Sequence, residues 1–208
     1  FSSRRRHTRY GTVTGVQTCA LPIFDVQPGI ANALAATLYI LALPGSTYMY
    51  QGEELGLHEV TDIPEKSIQD PQYLRNNKVD KGRDGCRVPL PWTESGKSFG
   101  FGKGGAHLPQ PKWFGHYSVE VEERDPKSPL AIYRRALALR KELLCKEEIK
   151  WHKTKDVSVL HYSRPNGWNC ITNFRAQSYP MPQAEILIST KPLIDGRIPA
   201  GTTVWFKS

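Results

Sequence analysis

The fifteen residues from Gly29 to Leu43, G-I-A-N-A-L-A-A-T-L-Y-I-L-A-L, carry apolar side chains nearly all round a helical wheel, and Pro44-Gly45 stops the pattern. A helix of that kind cannot lie on a surface with one face in water, so the fold has to cover it on most sides. Thr47 to Tyr50 comes next, a short aromatic-rich run closed by Gly52, and it reads as a strand. Helix, tight Pro-Gly turn, then an apolar strand ending in polar residues is one unit of an α/β layer or barrel. Folds of that kind place their ligands at the C-terminal ends of the strands.

Residues 56–124 are irregular and punctuated by Pro and Gly, as in K-G-R-D-G-C-R-V-P-L-P-W and F-G-F-G-K-G-G-A-H-L-P-Q-P-K-W-F. A loop region this long signals function or disorder, and Trp92, Trp113 and its phenylalanines argue for an ordered surface. Asp125-Pro126-Lys127-Ser128-Pro129 opens a second helix, with Ser128 as N-cap and Pro129 at the first helical position. Leu130, Tyr133, Leu137 and Leu144 form its apolar stripe, while Arg134, Arg135, Arg140 and Lys141 are expected to face water. After Ile149 the period becomes alternating: 157–163, 168–175, 184–189 and 202–207 read as strands, the first two joined by the hairpin turn Arg164-Pro165-Asn166-Gly167. The expected organisation is an α/β part at 25–148 and a small antiparallel β-sandwich at 149–208.

The formal charge of +8 invites a nucleic-acid reading, but Arg4, Arg5, Arg6 and Arg9 supply four of those charges in a stretch without a single acid. From Asp25 onward 24 basic residues stand interspersed with 20 acidic ones, the pattern of a solvated surface. Residues 1–24 share no period with the rest of the chain and resemble a translated sequencing adapter, so they read as an artefactual or disordered tract. Cys19, Cys86, Cys145 and Cys170 are scattered, without zinc spacing, which points to free thiols in a reduced, cytoplasmic setting. No apolar run reaches the length that spans a membrane.

Glu53 and Glu54 are adjacent, and neighbouring side chains in extended chain point to opposite sides. A retaining glycosidase needs two carboxyls about 5 to 5.5 Å apart across one sugar, so this pair alone makes a poor catalytic dyad. Arg83, Asp84 and Arg87, two guanidiniums flanking a carboxylate ahead of Trp92, suit a carbohydrate rim; a tie from either arginine to Asp84 that merely holds the loop explains them equally. His107, His116 and His161 read as structural. A carbohydrate-binding module with Trp92, Trp113 and Trp168 as stacking platforms is the alternative in a different class.

Taken together, G-S-T-Y-M-Y-Q-G-E-E-L-G and G-R-D-G-C-R-V-P-L-P-W resemble the eighth-strand segment and the R-D-x-x-R-x-P-x-x-W loop of the α-glucosidase and oligo-1,6-glucosidase branch of glycoside hydrolase family 13. L-P-Q-P-K-W-F followed by P-L-A-I-Y-R-R-A-L-A-L-R-K-E resembles that branch's last barrel helix and its approach. The resemblance implies the last part of a (β/α)8 TIM barrel followed by the small β-sandwich called domain C. It also implies a retaining α-glucosidase acting on maltose-like or short α-glucan oligosaccharides, without cofactor, nucleic acid or membrane as partner. None of the family's catalytic motifs is matched in this chain, so no catalytic residue is assigned and the chain alone is expected to be inactive. Arg83 and Arg87 would line the substrate entrance, with Asp84 as orienting partner, and Tyr50, Gln51, Glu53 and Glu54 would stand behind the substrate at the barrel mouth. Calcium, common elsewhere in the family, has no visible ligand cluster.

Overall fold

A computed structural model describes residues 26–143 and 146–208. Among these, residues 26–48, 132–143 and 146–208 form one compact unit and residues 49–131 another. The expected division at 148/149 runs in chain order, whereas the two units interleave, because helical residues 26–41 and 132–143 belong with the sheet.

Helix α1 spans Val26–Leu41 and stops ahead of Pro44 and Gly45, whose φ of +85° turns the chain. Ala35, Leu38, Leu41 and Ala42 are buried, as the all-round apolar pattern requires. Two short helices, α2 (Pro71–Arg75) and α3 (Val119–Glu122), lie in the long irregular region, and α4 spans Pro129–Leu143. Ser128 caps α4 as expected, its Oγ accepting from the Ala131 N–H at 3.2 Å.

The expected stripe on α4 is partly displaced. Leu130 and Tyr133 are buried, Leu137 is exposed, and Leu144 lies outside the described residues. Its place is taken by Ala136 and Arg140, three and seven residues beyond Tyr133. Arg140, expected in water, is only 9% exposed.

The strands are β1 (Lys150–His152), β2 (Val159–Ser163), β3 (Trp168–Asn173), β4 (Tyr179–Pro180), β5 (Glu185–Ser189), β6 (Arg197–Ile198) and β7 (Thr202–Lys207). They form an antiparallel sheet in the order β1-β2-β3-β7-β5 and an antiparallel ribbon of β4 and β6. The β2–β3 turn falls at the expected residues, with φ of 68° at Asn166 and 74° at Gly167, the left-handed pair that matches hairpin twist. β3 is buried on both faces. Trp168 and Cys170 join Tyr162, Trp205 and the apolar side of α1, while Ile171 joins Val159, Val204, Phe206 and Ile198 of the ribbon.

One expected strand is not formed. Residues 46–50 belong to no β-ladder among the described residues, and Tyr48 is 80% exposed. Aromatic content favours a strand only where a neighbour offers backbone partners, and no described strand runs beside this segment.

Side chains of the sheet and of α4 donate to backbone carbonyls in the C-terminal half of α1 and in the turn that follows it. Thr203 Oγ1 reaches Ala35 O at 2.6 Å, Trp205 Nε1 reaches Leu38 O at 3.0 Å and Tyr162 OH reaches Tyr39 O at 2.6 Å. Arg140 closes the C-terminal end by donating to Leu41 O, to Leu43 O at 3.0 Å and to Gly45 O at 2.6 Å. Those carbonyls have no intrahelical donor, and a cation at this end also opposes the helix dipole. Gly201, at φ +59°, lets β7 begin against α1: a Cβ there would stand 2.3 Å from Asn32 Oδ1.

Replacing Arg140 with Met keeps apolar bulk and strands three carbonyls. The expected loss is about 3 kcal/mol, read as a lower urea midpoint at unchanged m-value. Arg140→Lys should recover only part of it, since one ammonium cannot span the same acceptors with a planar fork.

Candidate functional site: a carboxylate-clamped arginine pair

The segment carrying Arg83, Asp84 and Arg87 is shaped by carboxylates that accept backbone N–H groups. Asp84 starts a single helical turn, Asp84–Cys86, and is 3% exposed. Its Oδ2 accepts from the N–H groups of Gln69 at 2.5 Å and Asp70 at 2.9 Å, which docks this turn against the start of α2. Two glycines permit the approach. A Cβ on Gly82 would lie 2.6 Å from Asp70 Cγ, and one on Gly85 would lie 2.6 Å from Val60 O.

Asp70 is the residue that organises the pair. It is 7% exposed, and its Oδ1 caps α2 by accepting from Gln72 N at 3.0 Å. Oδ2 accepts from Arg83 N at 3.0 Å and from Arg87 Nη1 at 3.2 Å, with Arg83 Nε 4.0 Å away. Arg87 Nη1 also stands 3.9 Å from Asp84 Oδ1. The Gln72 N–H, then the Arg83 N–H and the two guanidinium charges, hold the Asp70 carboxyl below its ordinary range against the opposing effect of burial. Asp84, expected to orient the arginines, chiefly holds backbone; Asp70 does the orienting. The sequence carried a sign of it, since Asp70-Pro71 is the same N-cap and first-position pairing read at Ser128-Pro129. Arg83 and Arg87 remain 64% and 37% exposed at their side chains, so the clamp is recessed and its cations face outward.

Of the four residues expected at a barrel mouth, Tyr50, Gln51 and Glu53 stay together and Glu54 turns away. Gly52, at φ +91°, turns the chain into Glu53–Leu55. Glu54 Oε2 folds back to accept from Gly52 N at 2.9 Å, while Glu53 is buried. Tyr50, Gln51 and Glu53 line a cavity with His58, Gly85, Cys86 and Phe114 of only about 20 Å³, room for one water and not for a sugar. The two carboxylates therefore do not converge on one ligand.

Of the three tryptophans considered as platforms, only Trp92 presents a face, at 51% exposure. Trp168 is buried in the sheet core. Trp113 is covered by His58, stacked at 4.0 Å and 9°, with Tyr117 edge-on to both. Burial lowers the His58 pKa, which keeps the stacked ring neutral. Cys170 is a buried free thiol pushed up to about 12 by burial, while Cys19 and Cys145 lie outside the described residues. Among the described residues no group of three or more His, Cys, Asp or Glu is placed to hold a metal ion.

A further buried carboxyl, Glu122 of α3, carries no signal in the sequence. Its Oε2 accepts from Leu130 N at 2.9 Å at the start of α4, and its own carbonyl accepts from Ser128 Oγ at 2.8 Å. Burial raises its pKa to about 7, with Asp125 and Glu54 adding to the shift and the Leu130 N–H opposing it.

The family description Alpha amylase, catalytic domain, matches residues 10–147. A probable α-glucosidase of Rhizobium meliloti is 38% identical over 139 residues, covering 66% of this chain and 25% of that protein. A probable oligo-1,6-glucosidase 2 of Bacillus subtilis is 34% identical over 161 residues (68% of this chain, 28% of that one). An oligo-1,6-glucosidase of Parageobacillus thermoglucosidasius is 30% identical over 198 residues (82% and 34%). The chain thus spans about a quarter to a third of the length of these curated relatives. Among solved structures, an α-glucosyl transfer enzyme, XgtA, superposes with a TM-score of 0.69 at 30% identity over 86% of this chain and 36% of its own.

Glu122 makes stability depend on pH in a defined direction. Between the ordinary carboxyl value of 4.5 and about 7 the folded chain keeps a proton that the unfolded chain has released, so stability falls as pH rises through that window and levels off above it. Glu122→Gln, neutral throughout, should lose less thermal stability between pH 5 and 7.5 than the unsubstituted chain; equal losses would show that Glu122 is ionised across the range.

Proposed function

The chain belongs to the α-amylase family, and on that footing we propose that it is part of an α-glucosidase-type glycoside hydrolase that cleaves terminal α-glucosidic bonds of maltose-like or short α-glucan substrates. Residues 25–148 are read as the closing part of the (β/α)8 barrel and 149–208 as domain C. The reaction is read as retaining, with its two carboxyls contributed by sequence other than this chain's. Glu53 and Glu54 support that reading, since one is buried beside a water-sized cavity and the other caps Gly52.

The observation that carries the proposal is the arginine pair. Saccharide hydroxyls are recognised by fixed, directional donors at a partly desolvated rim. Arg83 and Arg87 supply such donors in a loop without regular structure, held from beneath by buried Asp70 and Asp84. Trp92 adds an exposed aromatic face five residues beyond Arg87.

Saturation-transfer NMR with maltose should show binding by the chain that is lost in the Arg83→Ala/Arg87→Ala double variant. The chain by itself should not hydrolyse an aryl α-glucoside. Maltose binding that survives loss of both arginines contradicts the assigned rim, and hydrolysis above background contradicts the placement of the catalytic carboxyls outside this chain.

A further inference from the structure

The arginine rim has a charge balance that bears on which sugars it admits. Two exposed guanidiniums normally make an anion site, and paired arginines are a common way to bind phosphate. Here both guanidiniums stand near buried carboxylates: Arg87 Nη1 donates to Asp70 Oδ2 and lies 3.9 Å from Asp84 Oδ1, and Arg83 Nε lies 4.0 Å from Asp70 Oδ2. The neighbouring charges deepen the balance. Asp80 accepts from Gly82 N at 2.9 Å beside the clamp, and Lys81 turns away to donate to Thr61 O at 3.0 Å. The remaining N–H groups of the guanidiniums stay available for hydrogen bonds, and the formal charges of Arg83, Arg87, Asp70 and Asp84 sum to zero.

Building on the proposed function, we infer that Asp70 is a specificity-determining residue: by neutralising the rim it makes the arginine pair a donor set for uncharged sugar hydroxyls and excludes phosphorylated sugars. The carboxylate suits the role because the N–H groups and guanidiniums around it keep it ionised at neutral pH. Its position is enforced as well, since any side chain on Gly82 would displace it. Removing its charge without its shape leaves one guanidinium unmatched at the rim and converts a neutral site into a cationic one.

The probes are inorganic phosphate, followed by its ³¹P line width, and glucose 6-phosphate, both at low ionic strength with the full chain. The unsubstituted chain should broaden neither line, whereas Asp70→Asn should bind phosphate at least tenfold more tightly, and adding Arg87→Gln should abolish the gain. Asp70 also caps α2, so Asp70→Ser, which retains an N-cap oxygen, is the parallel variant should the first not melt cooperatively. Arg87-dependent phosphate binding by the unsubstituted chain overturns the inference, as does a folded Asp70 variant with no gain. Maltose, measured on the same samples, reports separately on the proposed function: if it fails to bind, the saccharide reading falls while the phosphate result still decides the role of Asp70.

Discussion

The main-chain carbonyls of α1 are the surface on which the first unit is assembled. A helix apolar on nearly every side can be buried by oil-like contact alone, but such contact is non-directional and would not fix its rotation or depth. A hydroxyl, an indole, a phenol and a guanidinium do so here, the first three each aimed at one carbonyl and the guanidinium at three, from Ala35 to Gly45. Because Thr203 and Trp205 sit on β7 and Tyr162 on β2, the register of the sheet and the setting of the helix are tied to each other. Arg140 does at the C-terminal end what a capping side chain ordinarily does from within the helix.

The second unit uses the same kind of chemistry in reverse. Its backbone is largely irregular, so its N–H groups cannot be satisfied by ladders, and buried carboxylates accept from them instead. Asp84 holds Gln69 and Asp70, Asp70 holds Gln72 and Arg83, and Glu122 holds Leu130.

How much of this is legible in the sequence depends on whether the signal is local. Helix α1, the Ser128 cap, the Asn166-Gly167 turn and β7 are set by residues adjacent in sequence, and they stand where composition and period put them. Arg140 escapes such a reading because periodicity sees a charge on a helix and assigns it to water, while its acceptors lie some 95 to 99 residues away in the chain. The strand expected at 47–50 fails for the complementary reason: its residues favour extended structure, but a strand is completed by a neighbour. At the rim the arginines are visible from their spacing, whereas Asp70 lies 13 residues before Arg83, separated from it by an irregular stretch that gives no register. Glu122 reads as one more acid in an exposed turn until the fold buries it.

The order of the five-stranded sheet leaves β1 and β5 at its edges. β1 is three residues long and opens on a lysine, and β5 opens on a glutamate and breaks its register between Ile186 and Ile188. Neither edge offers the long, flat row of free N–H and C=O groups on which another chain could add a strand. The long, wholly buried strand, β3, is kept in the middle. The sheet therefore has a built-in resistance to edge-to-edge growth, so that crowding this unit at high concentration is met by interrupted, charged margins and not by a template.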